Sequence, residues 1–270
     1  MIDRYAVIGN PVAHSKSPQI HTLFAHENGQ DIAYGRLLAP LDGFREIVER
    51  FRAEGGRGLN VTIPFKEEAY RLATEHSERA RAAEAVNTLR FDAGGAIYGD
   101  NTDGAGLVCD IRDNLGVAIA GRRILLLGAG GAARGVIAPL LAEGPSELTI
   151  ANRNIERARV LERHFGPGVR SSAYHALSGS RFDIVVNATS ASLDGALPPL
   201  PRGVFAAGSL AYDMMYRRGL TPFLEWARGQ GAELTADGLG MLIEQAAESF
   251  FVWRGVRPRT ATVFASLRAT

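Results

Sequence analysis

Arg123-Ile124-Leu125-Leu126-Leu127-Gly128-Ala129-Gly130-Gly131-Ala132-Ala133 is the stretch that decides the fold. Residues 123–127 form an apolar run of strand length, as expected of a central strand in a sheet covered on both faces. Glycines follow at once, in the spacing G-x-G-x-x-A, and a helical pattern begins behind them. In such a run the first glycine makes a tight turn and the second lets the backbone approach a pyrophosphate. A small third residue packs helix against strand. The N–H groups opening the helix then point at phosphates. Glycine-rich turns also arise for structural reasons alone. Here the strand before and the helix after support a dinucleotide reading.

Further strand-like runs recur at 147–151, 182–188 and 208–213, with helical patterns between them. That rhythm predicts a parallel α/β sheet. An NAD site places an acid about 20 residues after the glycines, to take the ribose 2′-OH. Here the second strand, Leu148-Thr149-Ile150-Ala151, ends in Asn152-Arg153-Asn154, and Arg157 follows. There is no acid at the strand end. Arg153 and Arg157 make a cationic pocket suited to a 2′-phosphate. The alternative is a solvated helix start. Cations there oppose the helix macrodipole, so the placement favours a bound anion.

Residues 1–100 alternate strand and helix as a separate unit. Strands are expected at 4–8, 34–39 and 59–63, helices at 18–28, 41–53, 65–73 and 77–85, and a hairpin around Asp92-Ala93-Gly94-Gly95. The 41–53 helix carries Phe44, Ile47, Val48 and Phe51 on one stripe. A helix is expected at 105–115, and the end of the chain, 239–253 and 260–267, reads as helical.

The bulk numbers set limits. A chain of 270 residues favours roughly two domains. Apolar residues at 46% and charged residues at 22% fit a soluble globular protein. A net charge of +1 argues against a nucleic-acid face, which needs a surplus of cations. The single cysteine, Cys109, permits no internal disulfide and fits a reducing compartment. With no signal-peptide pattern and no apolar run near the roughly 20 residues of a membrane span, the chain is expected to be cytoplasmic. No metal is expected, because the six histidines show no ligand spacing.

Of the 30 basic residues only Lys16 and Lys66 are lysines. A chain that uses arginine for generic cations and keeps a lysine points to a site that arginine cannot serve. Guanidinium stays charged, whereas an ammonium can give up its proton. Lys66 falls in the first turn of a helix after Asn60-Val61-Thr62-Ile63-Pro64-Phe65, where a cation is disfavoured by roughly 0.3–1 kcal/mol. Glu67 and Glu68 are placed to offset that. The position suits proton transfer. Thr62 and Asn60 share one strand face. In His14-Ser15-Lys16-Ser17-Pro18, Ser17 is expected to cap a helix, while Ser15 is free for a small polyol or carboxylate. Asn87 lies in a strand-like segment. Asp103 follows Asp100-Asn101-Thr102, and on its own reads as a helix cap.

These pieces, in this order, resemble the shikimate dehydrogenase family. The matching runs are Gly9-Asn10-Pro11 with Ser15-x-Ser17-Pro18, Asn60-Val61-Thr62-x-Pro64-x-Lys66, Ala85-Val86-Asn87-Thr88 and Gly99-x-Asn101-Thr102-Asp103-Gly104. Further on come the glycine run, Asn152-Arg153, Asn187-Ala188-Thr189-Ser190, Tyr212-Asp213-Met214-x-Tyr216, and Asp237-Gly238-x-Gly240-Met241 with Gln245. The resemblance implies NADPH-dependent reduction of 3-dehydroshikimate to shikimate, in aromatic amino-acid biosynthesis. It implies an α/β substrate-binding domain of residues 1–103 and 241–270, with a Rossmann-type NADP-binding domain of residues 104–240 inserted. Lys66 and Asp103 would be catalytic. Ser15, Ser17, Thr62, Asn87, Tyr216 and Gln245 would hold substrate. Gly128, Ala129, Gly130, Gly131, Ala132, Asn152, Arg153, Asn154, Arg157, Thr189, Met214, Gly238 and Met241 would line the cofactor. Ala191-Ser192 stands where the family often has Ser-Gly, in the loop expected beside the nicotinamide. A broader NAD-linked quinate/shikimate dehydrogenase is the rival enzyme, and the basic Asn152-Arg153 argues against it. A non-catalytic metabolite sensor is the rival outside the enzymes, and it would be free to lose Lys66 or Asp103. The chain is expected to act as a monomer or homodimer on a small-molecule substrate, without nucleic acid or membrane.

Overall fold

The computed structural model describes residues 2–189 and 196–268. They form two compact units. One runs to Gly106 and resumes at Leu242; the other is Leu107–Met241. In chain order the first unit holds β1 (Asp3–Gly9), α1 (Ser17–Glu27), β2 (Ile32–Leu38), α2 (Phe44–Ala53), β3 (Gly56–Val61) and α3 (Lys66–Leu72). Then come β4 (Glu75–His76), α4 (Glu78–Ala83), β5 (Thr88–Phe91), β6 (Ile97–Asp100) and the start of α5 (Asp103–Cys109). Its mixed sheet has the order β2-β1-β3-β5-β6-β4. β1 lies parallel to β2 and β3, while β3, β5 and β6 pair antiparallel.

The core of this unit explains how the site is held. Phe44, Val48 and Phe51 sit at i, i+4 and i+7 on α2 and are buried, leaving Arg45, Glu46 and Glu49 outside. The Phe44 ring stacks on Phe65 at 5.0 Å. Phe65 is the residue before α3, so this contact fixes where Lys66 begins its helix. The expected hairpin forms: Asp92 N–H bonds Ala96 and Gly95 N–H bonds Asp92. Gly95 takes φ +92°, which only glycine adopts without strain.

The second unit runs through β7 (Arg123–Leu127), α6 (Gly131–Ala142), β8 (Glu147–Ala151), α7 (Ile155–Phe165), β9 (Val169–Ser172) and β10 (Phe182–Asn187). β11 (Phe205–Asp213), α8 (Pro222–Gly229), β12 (Leu234–Asp237) and the start of α9 (Leu239–Arg254) follow; α10 (Ala261–Arg268) ends the chain in the first unit. Its sheet has the order β12-β11-β10-β7-β8-β9, with every pairing parallel. Ile124 and Leu126 enter one core and Leu125 and Leu127 the other, so β7 is apolar on both faces. Strand order reverses between β7 and β10, and in such sheets ligands bind outside the carboxyl ends at the reversal.

Several elements differ from expectation. The helix expected at 41–53 starts at Phe44, after Pro40 and Gly43. β4, β9 and β12 were not anticipated, being short strands at or near sheet edges. The helix expected at 105–115 is α5 followed by a π turn over Asp110–Asn114.

The approach to Asp103 is anchored by Asp100, at the end of β6. Its buried carboxylate accepts both Arg79 Nε and Nη2 at 2.7 Å, the Ser77 hydroxyl at 2.5 Å and the Asn101 N–H at 2.7 Å. Burial pushes the Asp100 pKa up, but Arg79, Ser77 and Asn101 pull it below the ordinary 3.8. A depressed native pKa means this stabilisation is complete above the unfolded value and is lost as pH falls through the native one. Arg79→Ala should therefore lower stability at pH 7 by about 3 kcal/mol, since it leaves a buried carboxylate unpaired. Urea denaturation of the two proteins should show that gap closing as the pH is lowered below 3.8. A gap constant through that range would refute the assignment.

Candidate active site

Lys66 is the first residue of α3, and its ammonium meets Asp103 Oδ2 at 2.5 Å. Their side chains are 13% and 7% exposed. A lone cation at a helix N-terminus is disfavoured and an anion there is favoured. Asp103 opens α5, so its helix supports the carboxylate that pairs with Lys66. Glu67, expected to offset Lys66, instead faces Arg71 at 3.8 Å. Asp103 does not cap. The Thr102 carbonyl takes the Gly106 N–H, and Asn101 Oδ1 takes the Asp103 N–H, which frees both Asp103 oxygens.

Asp103 Oδ1 accepts Asn87 Nδ2 at 2.8 Å. The same amide nitrogen faces Thr102 Oγ1 at 2.9 Å and Gln245 Oε1 at 3.2 Å. Asn87 Oδ1 accepts the Thr102 N–H and the Thr88 hydroxyl. Gln245 is fixed by its own Nε2, which donates to the Leu242 carbonyl. One turn later Ser249 joins Thr102, Thr88 and Asn60. Residues separated by up to 189 positions thus meet in one buried network. Ser249 was not singled out from the sequence. The available signal was a neutral polar pair at i and i+4, Gln245 and Ser249, on one side of the last long helix.

The two serines meet as well. Ser15 Oγ donates to Ser17 Oγ at 3.1 Å and accepts the Ser17 N–H at 3.3 Å. The expected capping by Ser17 is not seen: the cap position is Lys16, with no side-chain cap bond, and Ser15 before it takes the Ser17 N–H. Lys16 is already helical in φ and ψ, so Ser17 lies within the helix, one residue too late to cap it. Arg36 ties this segment down by donating to the Ser15 carbonyl at 2.6 and 3.2 Å. Thr62 is packed on Gly9, where a Cβ would lie 2.3 Å from Thr62 Cγ2. Gly9 thus lets the threonine face sit against the end of β1. Tyr216 belongs to the second unit, in the segment after β11.

In the second unit the glycine run lies at the reversal of strand order. Gly128 has φ +108°, and a Cβ there would meet Ala188 O and Thr189 Cγ2 at 3.2 Å. Gly130 faces open space, and α6 starts after it with no side-chain cap. Its first N–H groups therefore have no side-chain cap. Thr189 is set by Asn187 Oδ1, which accepts its N–H and hydroxyl at 3.1 and 2.7 Å. Gly238 lies against Met214, where a Cβ would fall 2.1 Å from the Met214 carbonyl. The Met241 N–H donates to the Tyr212 hydroxyl, which donates to Asp110 at 2.7 Å. Asn152 Nδ2 bonds the Asn154 carbonyl, and Asn154 caps α7 through the Glu156 N–H. Glu156 is taken by Arg159 at 2.5 Å, and Arg153 and Arg157 make no ion pair among the described residues. Ser190, Ala191 and Ser192 lie outside the described residues. Among those described, no cluster of His, Cys, Asp and Glu could hold a metal, and no helix is long and apolar enough to cross a membrane.

Three family models match along the chain. They describe a shikimate dehydrogenase substrate binding domain over residues 7–89, a shikimate/quinate 5-dehydrogenase over 111–194, and a shikimate 5′-dehydrogenase C-terminal domain over 238–268. The shikimate dehydrogenase (NADP(+)) of Nitrosospira multiformis is 61% identical over 272 residues, covering 100% of this chain and 98% of that protein. The crystal structure of an Ael1 enzyme from Pseudomonas putida is 54% identical, with a TM-score of 0.91 and 98% of both chains covered. A shikimate 5-dehydrogenase from Thermus thermophilus, solved with NADP(H) and shikimate, is 32% identical with a TM-score of 0.88 and 99% of both chains covered. Likeness of this extent, from the strand carrying Gly9 to the last helix, means that the chain belongs to the shikimate dehydrogenase family.

Proposed function

We propose that this chain catalyses the reversible NADP-linked reduction of 3-dehydroshikimate to shikimate, with Lys66 and Asp103 as its acid–base pair. The observation that carries this reading is the Lys66–Asp103 contact at 2.5 Å, nearly closed to solvent and bonded onward to Asn87. The first unit, in this reading, takes the substrate and the second takes NADP.

The residues fit a phosphorylated dinucleotide. Gly130 leaves open space and α6 has no side-chain cap, while Arg153 and Arg157 make no ion pair among the described residues. Gly128, Ala129, Gly130, Gly131 and Ala132 would hold the pyrophosphate. Asn152, Arg153, Asn154 and Arg157 would hold the 2′-phosphate end, and Thr189, Met214, Gly238 and Met241 the nicotinamide end. Bound there, NADPH supplies the hydride for the ring carbonyl carbon.

The chain's own residues do the rest. Ser15, Ser17, Thr62, Asn87, Tyr216 and Gln245 hold the carboxylate and hydroxyls of the substrate. As its carbonyl is reduced, the oxygen gains negative charge. The Lys66 ammonium gives that oxygen a proton and becomes a neutral amine. Asp103 keeps the ammonium aimed, and the amine is reprotonated from solvent. In the reverse direction the amine removes the hydroxyl proton. Such help is worth about 10²–10⁴ in rate. The same reading places the chain in aromatic amino-acid biosynthesis in the cytoplasm, acting as a monomer or homodimer.

Lys66→Arg should lower the turnover number by roughly 10²-fold or more, because guanidinium does not release a proton near neutral pH. Lys16→Arg should be mild. Initial rates with shikimate and NADP decide the matter, and a Lys66→Arg protein that keeps most of its turnover would show that Lys66 is an electrostatic anchor only.

NADP should be strongly preferred over NAD. Arg153→Ala should raise the KM for NADP far more than that for NAD. Equal kcat/KM with both cofactors in the unmodified chain would count against the 2′-phosphate pocket.

A further inference from the structure

Tyr212 is completely buried near the end of β11, and Asp110 is 3% exposed. Both belong to the second unit. The Tyr212 hydroxyl has one proton, and it goes to Asp110 Oδ2 at 2.7 Å. The phenol oxygen is then an acceptor. It takes the Met241 N–H at 3.2 Å. Met241 is the third residue of α9, and the first four N–H groups of a helix have no partner within it. Tyr212 therefore satisfies a donor that the helix leaves open, from 29 positions away. Burial and the Asp110 carboxylate hold the phenol well above its ordinary pKa, so its proton stays in place.

Asp110 is fixed in turn by the π turn that it opens. Asn114 Nδ2 donates to its Oδ1 at 2.9 Å, and the Leu115 N–H donates to its carbonyl at 2.9 Å. The carboxylate lies directly against Gly240, where a Cβ would fall 2.0 Å from Oδ1 and 2.2 Å from Oδ2. Gly240 has no left-handed backbone, so the closeness of the carboxylate, and not the shape of the chain, calls for glycine. A negative charge beside the first turn of α9 is favoured by the helix dipole. The chain entering this turn is gripped from a second side. The Gly238 N–H donates to the Met215 carbonyl at 3.0 Å, and Gly238 lies on the Met214 carbonyl. Met214 is held by its own N–H, which donates to the Asn187 carbonyl at 2.9 Å. Gly238 and Met241, two of the residues read as lining the nicotinamide end, are thus both set by buried neighbours.

We propose that Tyr212, aimed by Asp110, is a positioning residue for the nicotinamide of NADP. It fixes the first turn of α9 and so the place from which Met241 meets the ring. Gly240 admits the carboxylate on which this grip depends. The inference rests on the reading of Met241 as part of the nicotinamide end.

The test combines titration calorimetry with initial rates. Its probes are NADP and adenosine 2′,5′-bisphosphate, which carries the 2′-phosphate end and no nicotinamide. Tyr212→Phe removes one oxygen and keeps the ring. Its Kd for NADP should rise by roughly threefold to tenfold, the worth of one hydrogen bond, with the Kd for the bisphosphate held within about twofold. The turnover number should fall by about tenfold or more, because Met241 no longer aligns the ring for hydride transfer, while the KM for shikimate holds. Gly240→Ala keeps both polar groups but drives a methyl into the carboxylate, and it should give the same split whether or not Tyr212→Phe folds. Equal rises in both Kd values would overturn the role, since they mark general loosening of the second unit. Unchanged NADP binding and turnover would overturn it too. Met241→Ala separates the two readings. If that variant alone weakens NADP binding and turnover, the role of Tyr212 falls. If it alters neither, the reading of Met241 falls and this inference with it.

Discussion

The ion pair between Lys66 and Asp103 is the constraint around which the first unit is arranged. Two charges nearly withdrawn from water lose hydration that their mutual attraction repays only with good geometry and further hydrogen bonds. Asn87 supplies one such bond, and Asn101 takes the Asp103 N–H, so that one carboxylate oxygen meets Lys66 and the other Asn87. Behind them, the Phe44–Phe65 stack sets the start of α3, and the Asp100–Arg79 cluster sets the chain before α5. Each is an apolar or ionic anchor placed one to three residues from a charged atom. Retaining so demanding a pair at two helix starts makes sense if proton transfer needs it.

Much of the fold was legible because its strongest signals are local. β7 reads as a two-faced strand from five residues, and its alternate side chains do enter separate cores. β8 has the expected bounds, and the phenylalanine stripe of α2 is buried largely as the helical period requires. What escaped was short or polar. β4 is the two residues Glu75–His76, and β12 ends in Asp237; neither has the length to show a period of two. The π turn at Asp110–Asn114 leaves no mark in a hydrophobic pattern, since it changes hydrogen bonding and not polarity.

The candidate site divides along the same line. Lys66 stood out through lysine scarcity and Gly128 through spacing, both readable within a few residues. Asp103, read alone, looked like a cap, because the partner that claims its carboxylate lies 37 positions away. Ser17 reads as a cap because a serine before a helix so often is one, but the helix starts one residue earlier, with Lys16 at the cap position, and Ser15 takes the Ser17 N–H. Asn60 and Ser249 are ordinary polar residues. Only tertiary contact brings them into one network, and no local pattern encodes which residues will meet.

Arginine use separates structure from binding in this chain. Arg79 and Arg112 each grip a carboxylate, Asp100 and Asp113, with two guanidinium nitrogens, and such fork-shaped pairs are what guanidinium does best. Arg153 and Arg157 lie at the carboxyl end of β8 and the start of α7 with no such partner among the described residues, while neighbouring Arg159 takes Glu156. Cations left unpaired at a positive helix end are electrostatically unfavourable unless an anion joins them. The half-buried Lys66 follows the opposite logic: it is paired with Asp103, and in the proposed reading its value lies in a proton it can release. On the proposed function, the chain assigns its fixed charges to anion recognition and structural pairing, and reserves its exchangeable one for chemistry.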